Sequence, residues 1–336
     1  MAYRMGHWLK RNLPYLLLTA AVFACTSWLA ANLNIEMCPD EAARTPLAWF
    51  IYRNGTLPTG WEESIRIATW GFSYGFSPYL TSIVGSLFMR ICSIFTTDRS
   101  ALLFSIRLAS VIPVTLAAFF TCKLAEALFE DWRAALLAGI IVGATPQVLY
   151  LGGYHNCDSL ALFSVTLIVY SWCKAWRAQT WSVTNLVLTG AGISLCLLSY
   201  YNAYPFILFS ILFYMISSTM FGMRWVEILE GFLLVLCVVM ALAGWYFVRN
   251  AALYEGDVFG LKMREKYGEA FATVGFRPSD RVTPKGIGMT VTDMLFVDTT
   301  FSQRPWLRYM LQSFFCMTGY MTEPLPFWCE IGYYGV

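Results

Sequence analysis

Leu13–Leu33 reads LPYLLLTAAVFACTSWLAANL without a charge, and Cys38-Pro39-Asp40-Glu41-Ala42-Ala43-Arg44 follows a few residues later. A bilayer crossing takes about 20 apolar residues, so the first stretch reads as a membrane span. The Asp-Glu pair then surfaces just past a membrane exit, with an Arg one helical turn on. Arg4, Lys10 and Arg11 precede the span, and the positive-inside rule puts them in the cytoplasm. Asp40 is therefore expected on the outer face. The segment lacks a small-residue cleavage site after a short apolar core, which makes it a retained span rather than a removed signal peptide.

The rest of the chain follows the same solvent. Hydrophobic residues make up 58% and charged residues 13%, where soluble proteins carry about 25% charge. The sequence is that of a polytopic, all-α membrane protein. A net charge of +2, with 23 scattered Lys and Arg, gives no basic patch for a nucleic acid. The ten cysteines occur singly, without C-x-x-C or zinc-ligand spacing, and read as small apolar filler.

Phe76–Met89 has only 14 residues before Arg90, short for a crossing. If it lies along the surface, the later spans are Leu108–Cys122, Ala134–Gly152, Ser159–Cys173, two folded at Tyr200-Tyr201-Asn202-Ala203-Tyr204-Pro205, and Gly231–Val248. Lys123, Arg133, Lys174, Arg177 and Arg224 then all fall in the cytoplasm; if it crossed, all five would be outside. The reading is of about seven spans with juxtamembrane helices in a long first outer loop, residues 34–101. Residues 1–250 form the transmembrane module. Residues 251–336 form an outer polar segment, with a mixed-sign patch at Lys262-Met263-Arg264-Glu265-Lys266.

This topology brings Asp40, Glu41 and Asp158 to one face, and these are the candidate catalytic carboxylates. A carboxylate at the membrane edge suits general-base chemistry. Glu41 and Arg44 also suit a surface ion pair at a helix start. Asp158, in Tyr154-His155-Asn156-Cys157-Asp158, also suits a helix cap. Arg44, Arg107, His155 and Tyr201 are the candidate substrate ligands. Arg107 could instead snorkel to the interface, His155 could be an ordinary loop residue, and the Tyr200–Tyr204 cluster could be an interfacial belt. If Asp40 and Asp158 share a cavity, Cys38 and Cys157 could lie within disulfide reach, or be ordinary loop residues.

In order and placement these motifs resemble the GT-C class of integral membrane glycosyltransferases, which includes protein O-mannosyltransferases and lipid A aminoarabinose transferases. The matching stretches are Pro39-Asp40-Glu41, Asn54-Gly55-Thr56-Leu57-Pro58, Ser77-Pro78-Tyr79-Leu80, Ile106-Arg107-Leu108-Ala109-Ser110, Pro146 and Asp158. They cover roughly residues 1–250, and bacterial members fit best. The resemblance implies a GT-C-like helix bundle that moves a sugar from a polyprenyl-phosphate donor to a cell-envelope glycan, lipid or protein on the outer face of a bacterial plasma membrane. It implies Asp40 as the base or as the group that positions the acceptor, and Asp158 as its assistant. A divalent metal is left open, because some relatives need one and others do not. Bacterial relatives often carry a Lys in the hairpin after the fifth span, where this chain has Tyr201-Asn202, and relatives continue with further spans. Two other classes share parts of the pattern. A lipid or glycolipid transporter would place ionisable residues within its spans, and a non-catalytic subunit of glycan assembly or export would share the topology.

Overall fold

In the computed structural model the described residues are 2–297 and 305–315, with 317–319, 322–324 and 326 beyond them. Most of the aromatic tail and the side chain of Arg4 lie outside the described residues. Thirteen α-helices are described: α1 (Ala2–Asn32), α2 (Glu41–Asn54), α3 (Leu80–Cys92), α4 (Arg99–Phe129), α5 (Trp132–Gly143), α6 (Pro146–Gly153), α7 (Asp158–Ala178), α8 (Val183–Leu197), α9 (Pro205–Met220), α10 (Trp225–Leu253), α11 (Leu261–Phe271), α12 (Val291–Phe296) and α13 (Trp306–Phe315).

The centre is α4. Asp98 caps it, its carboxylate accepting the N–H groups of Ser100 and Ala101 at 3.0 Å. Its 31 residues extend about 46 Å at 1.5 Å per residue, so one end stands clear of a hydrocarbon core about 30 Å thick. Small side chains along it (Ala109, Ser110, Ala117, Ala118, Ala125) are buried and let α1, α5, α6 and α7 pack against it. Gly152 does the same for α6: a Cβ there would stand 2.5 Å from a methyl of Thr26 on α1.

Five helices are long and apolar enough to cross a membrane: α1, α4, α7, α9 with the turn before it, and α10. The pair α5–α6 makes a sixth if counted as one broken span, bent by 60°. Pro146 causes the break. It has no N–H to donate, and it holds Thr145 extended at ψ 122°. The seventh apolar segment is α8, whose 15 residues reach only about 22 Å, so it is shorter than the sequence reading took it to be. The outward faces of α9 and α10 expose Leu212, Leu229, Leu233 and Val248, surface that only lipid would favour. This is an integral membrane protein.

The 13 residues of α3 do not reach across a bilayer. They pack antiparallel to the first turns of α4, Met89 beside Leu102 and Ile106. Between α2 and α3 the chain is strapped down by the end of α10. Arg249 donates to the carbonyl of Pro58 at 2.7 Å, and the Tyr254 hydroxyl donates to that of Thr59 at 2.7 Å. The Asn54–Pro58 motif is thus a helix stop, with Gly55 left-handed at φ 71°, followed by an anchored strap.

Candidate active site

Charge separates to the two ends of the bundle. At one end Arg11 and Lys123 pair with Glu126, Arg177 pairs with Glu130, and Lys174 lines the same cleft. At the other end lie Asp40, Glu41, Arg107, His155 and Asp158. About 24 Å of α4 separates Arg107 from Lys123. The helices thus gather Arg11, Lys123, Lys174 and Arg177, which the sequence assigned to one side, and keep Asp40, Glu41 and Asp158 away from them.

Glu41 and Arg107 meet in the interior, 0% and 2% exposed at the side chain. Arg107 donates Nε to Oε1 at 2.8 Å and Nη2 to Oε2 at 2.7 Å. Its Nη1 donates to the carbonyls of Ala30 and Leu33, each at 2.8 Å, closing the end of α1. The N–H of His155 donates to Glu41 Oε1 at 2.8 Å. One fork therefore ties α1, α2, α4 and the α6–α7 loop together. Glu41 is not placed as a catalytic residue, nor Arg107 as a phosphate ligand, because both Glu41 oxygens and four of the five Arg107 donors are already used inside the protein.

His155 is likewise withdrawn from substrate. It is fully buried, and its Nε2 lies 3.0 Å from Ser82 Oγ. Burial, with the charges of Arg44 and Arg107 adding to it, pushes its pKa down to about 3. A histidine held neutral in the interior cannot shuttle protons near pH 7.

Above this floor the remaining groups form a half-open site. Asp40 stands at the start of α2 in the left-handed region, φ 58°, and its carboxylate makes no cap. It accepts instead from the Tyr74 hydroxyl at 2.7 Å, and it faces Arg44, whose Nη2 is 4.0 Å away. The ion pair of α2 is therefore Asp40–Arg44, not Glu41–Arg44. The Arg44 guanidinium lies over the Tyr74 ring at 4.0 Å and near Tyr200 at 5.9 Å. Burial works against its charge, but Cys157, Tyr74, Asp158 and Asp40 more than offset this and hold its pKa above the ordinary value. Burial, with Asp40 adding to it, also raises that of Tyr74, so the phenol stays a donor.

Asp158 opens α7, but the cap is made by Asn156, whose Oδ1 accepts from the Ser159 N–H at 2.8 Å. That leaves the Asp158 carboxylate, half-buried, within electrostatic reach of both Arg44 and Asp40. Two carboxylates from loops far apart in sequence thus come within the field of one arginine, although only Asp40 pairs with it. Cys38 and Cys157 are both buried and both free, so no disulfide joins these loops.

Three residues here went unassigned in the sequence: Tyr74, Tyr200 and Arg264. Tyr200, rather than Tyr201, faces Arg44. Tyr201 gives its hydroxyl to the carbonyl of Phe259 at 2.6 Å and borders the site through Arg264. Arg264 itself, on α11, lies over the Phe72 ring at 4.3 Å and within electrostatic reach of Tyr74, Tyr200 and Tyr201. It forms no ion pair among the described residues, and burial pulls its pKa below the ordinary arginine value. Its placement depends on Gly260, which precedes α11 at φ 70°, where a Cβ would stand 2.3 Å from the carbonyl oxygen of Phe76. Among the described residues no three His, Cys, Asp or Glu side chains converge as metal ligands. Arg44 beside Asp40 supplies positive charge there, with Asp158 within its electrostatic reach.

Residues 81–246 match the family described as dolichyl-phosphate-mannose-protein mannosyltransferase, just under half of the chain. The chain resembles a GT-C membrane glycosyltransferase. The matched stretch begins in α3 and ends in α10, so it holds Arg107 and Asp158, whereas Asp40, Arg44 and Arg264 lie outside it. Among solved structures, the archaeal oligosaccharyltransferase AglB from Archaeoglobus fulgidus, in complex with an inhibitory peptide and a dolichol-phosphate, superposes with a TM-score of 0.49 at 14% identity. The alignment covers 90% of this chain and 43% of that one, so the chain spans under half the length of that protein. No curated protein sequence matches the chain.

Proposed function

We propose that this GT-C-like chain transfers a sugar from a polyprenyl-phosphate donor to a hydroxyl acceptor at the outer face of a bacterial plasma membrane, with its N-terminus in the cytoplasm. The observation that carries the reading is the Asp40–Arg44 pair with the Asp158 carboxylate within electrostatic reach of the buried Arg44, at the end of the bundle opposite the basic cluster. The family match over residues 81–246 supports it. Residues 1–250 are taken as the transmembrane module, and the segment beyond as the part that brings Arg264 over the site.

The chemistry follows from these groups. The acceptor oxygen attacks the anomeric carbon of the donor, and the bond from that carbon to the phosphate oxygen breaks. The bonding electrons leave with the phosphate, and the acceptor proton passes to Asp40. Tyr74 orients the Asp40 carboxylate by donating to it. Asp158 adds a second negative charge within electrostatic reach of Arg44. Arg44 and Arg264 take up the charge that builds on the departing polyprenyl phosphate, as fixed cations in a half-dry site do best. A glycan, lipid or protein hydroxyl each suits this step as acceptor.

The test is transfer by purified protein in detergent from a labelled polyprenyl-phosphate sugar to a hydroxyl acceptor, with released polyprenyl phosphate measured alongside. Equal amounts of both products are expected, and Arg264→Gln should raise the donor KM. Donor release without glycosylated acceptor, or no turnover with any donor of this class, would reject the reading. The second outcome would favour a non-catalytic subunit of glycan assembly.

A further inference from the structure

A cavity of about 610 Å³ opens on the outer loop away from the carboxylates, between the second half of α2, the turn before α4 and the segment around Ser64. Asp40 and Asn54 bracket α2, and about 21 Å of helix lies between them, so this is a separate place. Its volume falls in the range of small-ligand sites, about 300–1,000 Å³.

The lining is of one chemical kind. Trp49 and Tyr52 form an aromatic wall, packed edge to face at 5.9 Å. Arg53 and Arg99 contribute two guanidinium groups, and Asn54 and Ser64 add short polar groups at the rim. No lining residue is acidic. Arg53 lies 5.2 Å from the Trp49 ring. Neither arginine forms an ion pair among the described residues, although cations on a protein surface commonly find one. Asp98, the acidic neighbour of Arg99, is committed to capping α4. An aromatic wall packs the C–H face of a sugar ring, and a planar guanidinium pair selects carboxylate or phosphate oxygens.

We propose that this cavity binds an acidic saccharide, its ring against Trp49 and its anionic group between Arg53 and Arg99. A growing or acceptor glycan held here would be anchored about 20 Å from the reacting end, the distance of a few sugar units. The choice of a saccharide rests on the transferase reading, but the site is defined by its own lining.

The experiment is calorimetric titration of the full chain in neutral phosphatidylcholine nanodiscs with tri-galacturonic acid, maltotriose and inorganic phosphate in separate runs. A further run uses phosphatidylglycerol nanodiscs. Tri-galacturonic acid is expected to bind, with maltotriose and phosphate each at least tenfold weaker. The double variant Arg53→Gln/Arg99→Gln and the single variant Trp49→Ala should each weaken it at least tenfold. Both arginines are exposed and their side chains form no ion pair among the described residues, so the double variant should fold as wild type does. Asp40→Asn should bind as wild type does, which separates this site from the catalytic one. Unchanged affinity in the double variant, equal binding of maltotriose, or full competition by phosphatidylglycerol would overturn the proposal. Binding without any sugar transfer would count against the transferase reading alone.

Discussion

Replacing Arg107 with Met would strand the Glu41 carboxylate at 0% exposure with only the His155 N–H for company. Breaking a buried ion pair from one side typically costs about 3–5 kcal/mol, because the remaining charge has no counterion. The carbonyls of Ala30 and Leu33 would lose their donor as well, each at roughly 1–3 kcal/mol if water cannot reach it. Against a total stability of about 5–15 kcal/mol, the single variant should fold poorly. Glu41→Leu alone leaves a buried guanidinium and should be about as harmful. The double variant Glu41→Leu/Arg107→Met removes both charges, so its cost should fall below the sum of the singles by at least about 2 kcal/mol. Unfolding of all four proteins in one detergent, followed by tryptophan fluorescence, measures the cycle. Singles that cost under about 1 kcal/mol, or costs that simply add, would refute the view that this pair fastens α1, α2, α4 and the α6–α7 loop.

Other expectations follow from the same region. His155 is neutral in the folded protein, with its pKa lowered to about 3 from an ordinary 6.5. The unfolded chain therefore binds the extra proton first. Its contribution to stability is present above pH 6.5 and is lost as pH falls towards 3, by at most about 1.4 kcal/mol per pH unit; His155→Asn should flatten that part of an acid-unfolding curve. Gly260→Val should lift α11 off Phe76, seen as faster hydrogen exchange in residues 261–271 and a raised donor KM, with the spans unaffected. Cys38 and Cys157 should alkylate under denaturing, unreduced conditions, and Cys38→Ser should leave mobility on a non-reducing gel unchanged.

The sequence shows the frame of this protein because its solvent dictates it. Apolar runs of span length, the basic residues that end them and the too-short Phe76–Met89 segment are local signals, and the structure keeps five of the runs as unbroken spans while α8 falls short of one. Pro146 likewise marks its own break. The placing of Asp40 and Asp158 on one side is legible for the same reason, since it follows from counting crossings. What is not legible is who pairs with whom. Glu41 finds Arg107 66 residues away rather than its helical neighbour Arg44, and nothing local marks that choice. His155 reads as a polar loop residue because the helices that bury it are distant in sequence. Arg264 sits in a mixed-sign patch that looks merely solvated, and only the close approach allowed by Gly260 brings it to the site.

The most direct measurement is the transfer rate of Asp40→Asn. Asparagine keeps the size of the side chain and an oxygen for the Tyr74 hydroxyl, while it removes the base and the charge that faces Arg44. The account expects kcat to fall at least about 100-fold, within the range that a positioned general base contributes. The donor KM and the melting temperature should stay close to wild type. An Asp40→Asn protein that transfers sugar within about twofold of the wild-type rate would contradict the assignment of Asp40 as the base.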